Sequence, residues 1–149
     1  MIDRRNLLRA AGGATLATTA GTSLLGTALA APATSTHADP RAKAFELTFI
    51  RSIDPDPHAA ARFIRTNWYA MDAIALERGL MTSYELLTGA DDIADWNLLM
   101  IVGYPDARGY EAIAAEFERI RAAHTVVPID GRGFRDLARI VGSRRVLRG

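Results

Sequence analysis

The spacing of apolar and polar residues predicts a strand followed by a helix at the start of the folded region. Residues 44–52 alternate between apolar and polar side chains, the period of two expected of a β-strand. Residues 57–78 carry apolar side chains at helical spacing, and Gly79 suits the end of that helix. One polar residue, Asn67, falls inside the apolar stripe, and Asp72 is predicted to face solvent. The stripe itself comprises Ala60, Phe63, Ile64, Ala70, Met71 and Ile74.

A hairpin and a second helix are predicted next. Residues 81–87 and 96–104 read as two strands, and residues 88–95 form the polar loop between them. Asp106 is a suitable N-cap for a helix over residues 107–123, whose periodic apolar positions predict a buried face.

The C-terminal part completes the order of elements. Breaks at Pro128, Gly131 and Gly133 are followed by a predicted short helix at residues 134–141 and a final strand at residues 143–148. The order strand, helix, strand, strand, helix, strand is that of the ferredoxin-like split βαβ arrangement, an α+β fold. It predicts an antiparallel sheet with two helices on one face.

The second hairpin strand is apolar on both of its faces, which two helices on one side of a sheet do not explain. An antiparallel strand with one solvated face should alternate apolar with polar residues. Instead, Trp96, Leu98, Met100, Val102 and Tyr104 are predicted on one face, and Asn97, Leu99, Ile101 and Gly103 on the other. We therefore expect a second subunit to cover the open face in a homodimer. The alternative is a monomer whose C-terminal segment covers it.

These elements resemble the dimeric α/β-barrel superfamily over residues 44–123. That group includes antibiotic-biosynthesis-type and haem-degrading monooxygenases and the NIPSNAP-like, EthD-like and YCII-like proteins. The resemblance implies a dimeric α/β barrel. The strand that is apolar on both faces, with Asn67, Tyr84 and Trp96 predicted near one cleft, indicates that the protein binds a small, largely apolar or aromatic ligand. If the protein is an enzyme, the resemblance implies a cofactor-free or haem-linked monooxygenase. The matching features are residues 45–50, the helix ending at Gly79, residues 81–86, residues 96–104 and the Pro-Asp pair at 105–106.

The first thirty residues are predicted to be an export signal rather than part of the fold. Arg4 and Arg5 lie in a run, residues 3–9, that resembles the twin-arginine (Tat) motif S-R-R-x-F-L-K. Residues 10–30 then carry no charge, and the small residues around position 30 suit cleavage before Ala31. We expect a periplasmic or secreted protein, and the Gly, Ser and Thr content of the segment disfavours a permanent membrane anchor. An ordinary secretory signal is the alternative.

Composition and charge define the extent of the folded domain and exclude some classes of function. Residues 31–43 are predicted to be a disordered mature N-terminus, which leaves residues 44–149 as one domain. The net charge is +1, which gives no electrostatic case for nucleic-acid binding, and the absence of cysteine excludes disulfides and thiolate chemistry. Residues 132–148 hold six arginines against Asp136 as the single acid. These arginines either protect a strand edge or contact a partner.

Asn67 and Trp68 are the first candidate site residues. A buried amide has to form hydrogen bonds, so Asn67 either contacts a ligand in the cleft between sheet and helix or binds a nearby backbone carbonyl. Some cofactor-free oxygenases of the superfamily use Asn and Trp in this cleft. In the alternative interpretation Trp68 is a packing residue.

Tyr84, Trp96 and Asn97 form the second group. Trp96 is predicted to share a face with Tyr104, with Tyr84 on the neighbouring strand. Such aromatic residues either hold a flat apolar ligand or build the dimer interface.

His124 is the last candidate, at the end of the buried stripe of the second helix. It is either a haem ligand or a partly buried packing residue. No second ligand lies at metal-like spacing, so we expect no metal site, and a protein without cofactor is preferred to one with haem. The acids Asp91, Asp92 and Asp95 are expected to form a solvated loop.

The sequence thus leads to an exported, homodimeric α/β-barrel protein that binds a small ligand, with enzymatic activity left open. The alternatives are a dimer without enzymatic activity whose aromatic residues only form the interface, and a partner-binding protein that uses its basic C-terminal end.

Overall fold

The computed structural model describes residues 39–89 and 95–149. The predicted signal, most of the expected disordered segment, and Asp91 and Asp92 of the hairpin loop lie outside the described residues. Among the helices that are described, none combines the length and the apolar character needed to cross a bilayer.

The core of the fold is a four-stranded antiparallel sheet, and the protein belongs to the α+β class. The strands are β1 (Ala44–Ser52), β2 (Ser83–Thr88), β3 (Leu98–Tyr104) and β4 (Ala138–Leu147). Their order in the sheet is β2-β3-β1-β4, which is compatible with a ferredoxin-like fold. The first strand has the predicted bounds, while the two hairpin strands begin two residues later than expected, at residues 83 and 98.

The first predicted helix consists of three consecutive segments. They are α1 (His58–Phe63), a π-helical segment (Ile64–Trp68) and α2 (Tyr69–Glu77), which together we call the composite helix. It ends at Gly79 as predicted, where a φ of 71° places the residue in the left-handed region that glycine accepts. Two further helices are α3 (Tyr110–Ala123) and the short α4 (Phe134–Leu137).

The π-helical segment shifts the buried face of α2 by one position. The N–H of Tyr69 donates to the carbonyl of Ile64, five residues back, so this turn contains one residue more than an α-helical turn. Asp72 is therefore only 1% exposed, whereas Ile74 is 40% exposed and Ala70 also faces solvent. The predictions that Ala70 and Ile74 are buried and that Asp72 faces solvent were wrong for this reason.

The start of α3 depends on a side chain from the sheet. The N-cap of α3 is Gly109, and the carboxylate Oε1 of Glu46 in β1 accepts the N–H of Tyr110 at 3.0 Å. Asp106 instead accepts the N–H of Arg108 at 2.8 Å, in the turn before the helix. The prediction that Asp106 caps the helix was therefore wrong. Glu46 supplies the carboxylate that favours a helix N-terminus.

The C-terminal strand is longer than predicted. Residues 138–141, expected to be helical, belong to β4 because β4 pairs antiparallel with β1 along its full length, from Ser52 and Ala138 to Ala44 and Leu147. Only Phe134–Leu137 is helical. Pairing in the sheet has overridden the local helical pattern, a common outcome for short segments.

The two faces of the sheet differ in what covers them. On the helix side, Ala44, Thr48 and Ile50 of β1 and Leu98, Met100, Val102 and Tyr104 of β3 are at most 1% exposed. The apolar side chains on the other face of β1 and β3 stay partly exposed, so β3 is apolar on both faces, as predicted. This second surface, which we call the open sheet face, carries Phe45, Leu47, Phe49, Leu99 and Ile101, with Leu87 and Val146 at its margins.

Candidate functional site

Asn67 lies in the π-helical segment and is 2% exposed. Its Nδ2 donates to the carbonyl of Phe63 at 3.1 Å and to the carbonyl of Val127 at 2.9 Å. Its Oδ1 accepts the N–H of Val127 at 2.7 Å and lies 3.1 Å from Nε2 of His124. The side chain therefore joins the composite helix to the segment that follows α3.

These contacts use the full hydrogen-bonding capacity of the amide, two donors and two acceptor positions. A ligand could bind Asn67 only by displacing one of them. Because both Nδ2 bonds end at carbonyls, the amide orientation is unambiguous, and Nε2 of His124 has to be the protonated nitrogen that donates to Oδ1. The arrangement matches the interpretation of Asn67 as a residue that binds the backbone.

His124 itself lies one residue beyond the end of α3, in extended conformation. It is partly exposed, and its ring is held by Asn67. Within residues 39–89 and 95–149, no group of three or more His, Cys, Asp or Glu side chains is placed to hold a metal ion.

Trp68, next to Asn67, packs against α4. Its ring lies 5.0 Å from that of Phe134, and Phe63 approaches the same ring at 5.8 Å. Phe134 is 3% exposed. Trp68 therefore helps to fix the short helix α4 against the composite helix.

Tyr84 contributes to a cluster that the sequence pattern did not reveal. Its ring meets Tyr69 of α2 edge to face at 4.7 Å, beside the buried Asp72. Burial raises the pKa of both phenols, the nearby Asp72 raises it further, and a backbone hydrogen bond at Leu86 opposes the shift for Tyr69. The shift by one residue in the π-helical segment placed Asp72 here, and no local feature of the sequence indicates such a shift.

Asn97 fixes the junction between the ends of β1 and β3. Its Oδ1 accepts the N–H of Ser52 at 2.9 Å, its Nδ2 donates to Oγ of Ser52 at 2.6 Å, and its own N–H donates to the carbonyl of Ile50. At 5% exposure it is an internal residue that binds strand ends.

Trp96 lies on the open sheet face. Its ring packs 5.4 Å from that of Phe49, which belongs to that face, whereas Tyr104 is buried on the helix side. The prediction that Trp96 and Tyr104 share a face was therefore wrong, because regular pairing of β3 starts only at Leu98.

The candidates are thus divided among separate locations. Asn67, Trp68 and His124 lie around the composite helix, Tyr84 faces α2, and Trp96 is part of the open sheet face. Among the described residues, no hydrogen bond or ring contact joins Trp96 or Tyr84 to Asn67.

A groove of 270 Å³ runs between α2 and α3 on the side away from the sheet. Its apolar lining consists of Ala70, Ile74, Ile120 and Ala123. Arg78, Arg119, His124 and Thr125 supply its polar lining.

Comparison with known proteins finds no relative of this chain. No family model, no curated protein and no solved structure matches this chain.

Proposed function

We propose that this protein is an exported homodimer of the dimeric α/β-barrel type that binds a small, largely apolar ligand. The observation that carries the proposal is the open sheet face. Its central side chains are apolar and only partly covered, and at its margins Leu87 is 41% and Val146 45% exposed. A continuous apolar surface of this kind is typical of an interface.

The charges on this face favour a second copy of the same chain as its partner. The strand registers place Glu85, Ile101, Leu47 and Arg144 in one row across the four strands. The row has an acid at the β2 edge, two apolar residues in the centre and a base at the β4 edge. Such a row is complementary to itself when it is reversed.

A two-fold axis parallel to the strands would produce this reversal. With the two sheets face to face, Glu85 of each copy would lie opposite Arg144 of the other, and the apolar centres would pack together. A two-fold axis along the row would instead bring like charges together, which is unfavourable. The surface is thus suited to an isologous interface.

The ligand would lie between the two sheets, at the end of the face near Trp96. The neighbouring row contains Leu87, Leu99, Phe49 and Gly142. Gly142 adds no side chain to this row beside the aromatic ring of Phe49. Aromatic and aliphatic walls of this kind favour an apolar ligand.

A dimer that has no enzymatic activity is the alternative, and one observation favours it. The side-chain amides of Asn67 and Asn97 form hydrogen bonds inside the protein, and Trp68 packs against Phe134. A cofactor-free or haem-linked monooxygenase, which the resemblance implies, would need reactive groups other than these.

Sedimentation velocity of the mature chain tests the interface. We expect a dimer at micromolar concentration and a monomer for Ile101→Glu, because a carboxylate would then be buried in the apolar centre. Leu76→Glu on α2, at a residue 36% exposed on the helix side, is the matched control and should stay dimeric. A monomeric wild-type chain would refute the dimer.

A neutral fluorescent probe, N-phenyl-1-naphthylamine, tests the ligand site. Its emission should rise with the wild-type dimer and much less with Ile101→Glu. Equal emission with both proteins would contradict a site between the sheets.

Export rests on the sequence. Replacing Arg4 and Arg5 by Lys should leave the precursor in the cytoplasm if the Tat pathway carries it. Normal export of that variant would contradict the Tat assignment.

A further inference from the structure

We propose that the groove between α2 and α3 binds a small carboxylate with an apolar tail. This site goes beyond the proposed function, because it lies between the helices and does not require the dimer. The shape of the groove, its apolar floor and its two arginines carry the inference.

The apolar floor is a product of the π-helical segment. With regular α-helical spacing, Ala70 and Ile74 would face the sheet, but the extra residue turns them outward. Ile74 is 40% exposed and lies in the groove opposite Ile120 and Ala123 of α3. Segments of this type occur frequently at functional sites.

Two guanidinium groups border this floor. Arg78 forms no ion pair with any residue that the structure describes. Arg119 pairs with Glu116 in the same helix, and both side chains are exposed, at 71% and 45%. An exposed pair of this kind is weak, so a ligand carboxylate can compete with Glu116 for Arg119. Arginine is well suited to bind a carboxylate with two parallel hydrogen bonds.

The opposite end of the groove is lined by a side chain that a hydrogen bond holds in place. His124 lines it next to Thr125, and the hydrogen bond from its Nε2 to Asn67 holds the ring in place. The volume of 270 Å³ lies just below the range of about 300–1,000 Å³ typical of ligand clefts. The ligand class is therefore a short aliphatic or single-ring monocarboxylate, with its tail on Ile74 and Ile120.

Calorimetric titration with sodium octanoate, together with amide chemical-shift mapping, tests this site. We expect saturable binding, with the largest shifts in residues 70–78 and 119–125. 1-Octanol has the same tail without the charge and should bind more weakly. Arg78→Gln and Arg119→Gln should each weaken octanoate binding by about fivefold, as loss of one ion pair implies.

Arg65→Gln is the matched control, since Arg65 is exposed on the composite helix but does not line the groove. It should bind octanoate as the wild type does, and circular dichroism should show all three variants folded. The Ile101→Glu variant should also retain binding, which separates this proposal from the dimer. Absence of saturable binding, equal binding of 1-octanol, an equal loss in Arg65→Gln, or shifts confined to the open sheet face would each overturn the proposal.

Discussion

The side chain of Asn67 binds the main chain of Val127 as a neighbouring strand would. It accepts the N–H of Val127 at 2.7 Å and donates to its carbonyl at 2.9 Å. The segment after α3 is not part of any helix or strand at this point, so one side chain supplies both hydrogen bonds that a second backbone would otherwise make.

Asn67→Ala should therefore lower the free energy of unfolding by about 1–3 kcal/mol, because the buried carbonyl of Phe63 and the part-buried main chain of Val127 lose their hydrogen bonds. Urea unfolding followed by circular dichroism, at a single protein concentration, measures this. Thr66→Ala, at the exposed neighbouring position, should change stability by no more than about 0.5 kcal/mol. Equal stability of the two variants would show that the Asn67 bonds do not stabilise the fold.

Reversal of charge tests the proposed direction of the two-fold axis. Glu85→Arg and Arg144→Glu should each weaken the dimer, since each would bring like charges together across the interface. The double variant should recover much of the affinity because the pair is restored in opposite order. Sedimentation equilibrium of the four proteins gives the coupling between the sites. Additive losses in the double variant would exclude this axis.

Gly103 lies on the open sheet face between β1 and β2, where a side chain does not fit. A Cβ there would lie 2.4 Å from Oγ of Ser83 and 2.6 Å from Oγ1 of Thr82. Gly103→Ala should therefore destabilise the protein by about 1–3 kcal/mol through overpacking. Gly142→Ala is the control, because the added Cβ meets nothing within 4 Å, and it should leave stability nearly unchanged. Thermal unfolding in the monomeric Ile101→Glu background measures the change. Similar losses at both sites would contradict the packing argument.

The turn before α3 contains a carboxyl group with a strongly lowered pKa. Hydrogen bonds from the side chain and backbone of Arg108 lower the pKa of Asp106 from 3.8 to about 2. The ionised carboxylate of Asp106 therefore stabilises the folded state. This contribution is fully present above pH 3.8 and is lost as the pH falls through about 2.

NMR titration of the carboxyl groups should find this value, and Arg108→Ala should return the pKa of Asp106 toward 3.8. Asp39 is the internal control, because Arg41 lowers its pKa independently. An Asp106 pKa that does not respond to Arg108→Ala would show that the hydrogen bonds in solution differ from those described.

The local pattern of apolar and polar residues was sufficient to predict much of the fold. Alternation predicted the bounds of β1, Gly79 marked the end of the composite helix, and the apolar residues on both sides of β3 indicated the open sheet face. Each of these signals is contained in a short stretch of sequence, which is why it could be read there.

The features that were missed depend on residues far apart in the chain. Glu46 caps α3 across 64 positions, and Asn67 binds Val127 across 60. Such partners meet only once the sheet and helices have assembled. The π-helical segment has no recognisable local signal either, so the burial of Asp72 and the groove beside Ile74 could not be predicted.

The π-helical segment also makes the outer surface of the protein tolerant of a change in chain length. Its turn holds one residue more than an α-helical turn, so deletion of one residue there, such as Thr66, would let an α-helical turn form without rotating α2 relative to α1. Asp72 would stay inward, Ile74 would stay outward, and the groove would keep its floor. A deletion of one codon would thus be absorbed within the helix, and the cleft between the two helices would survive it.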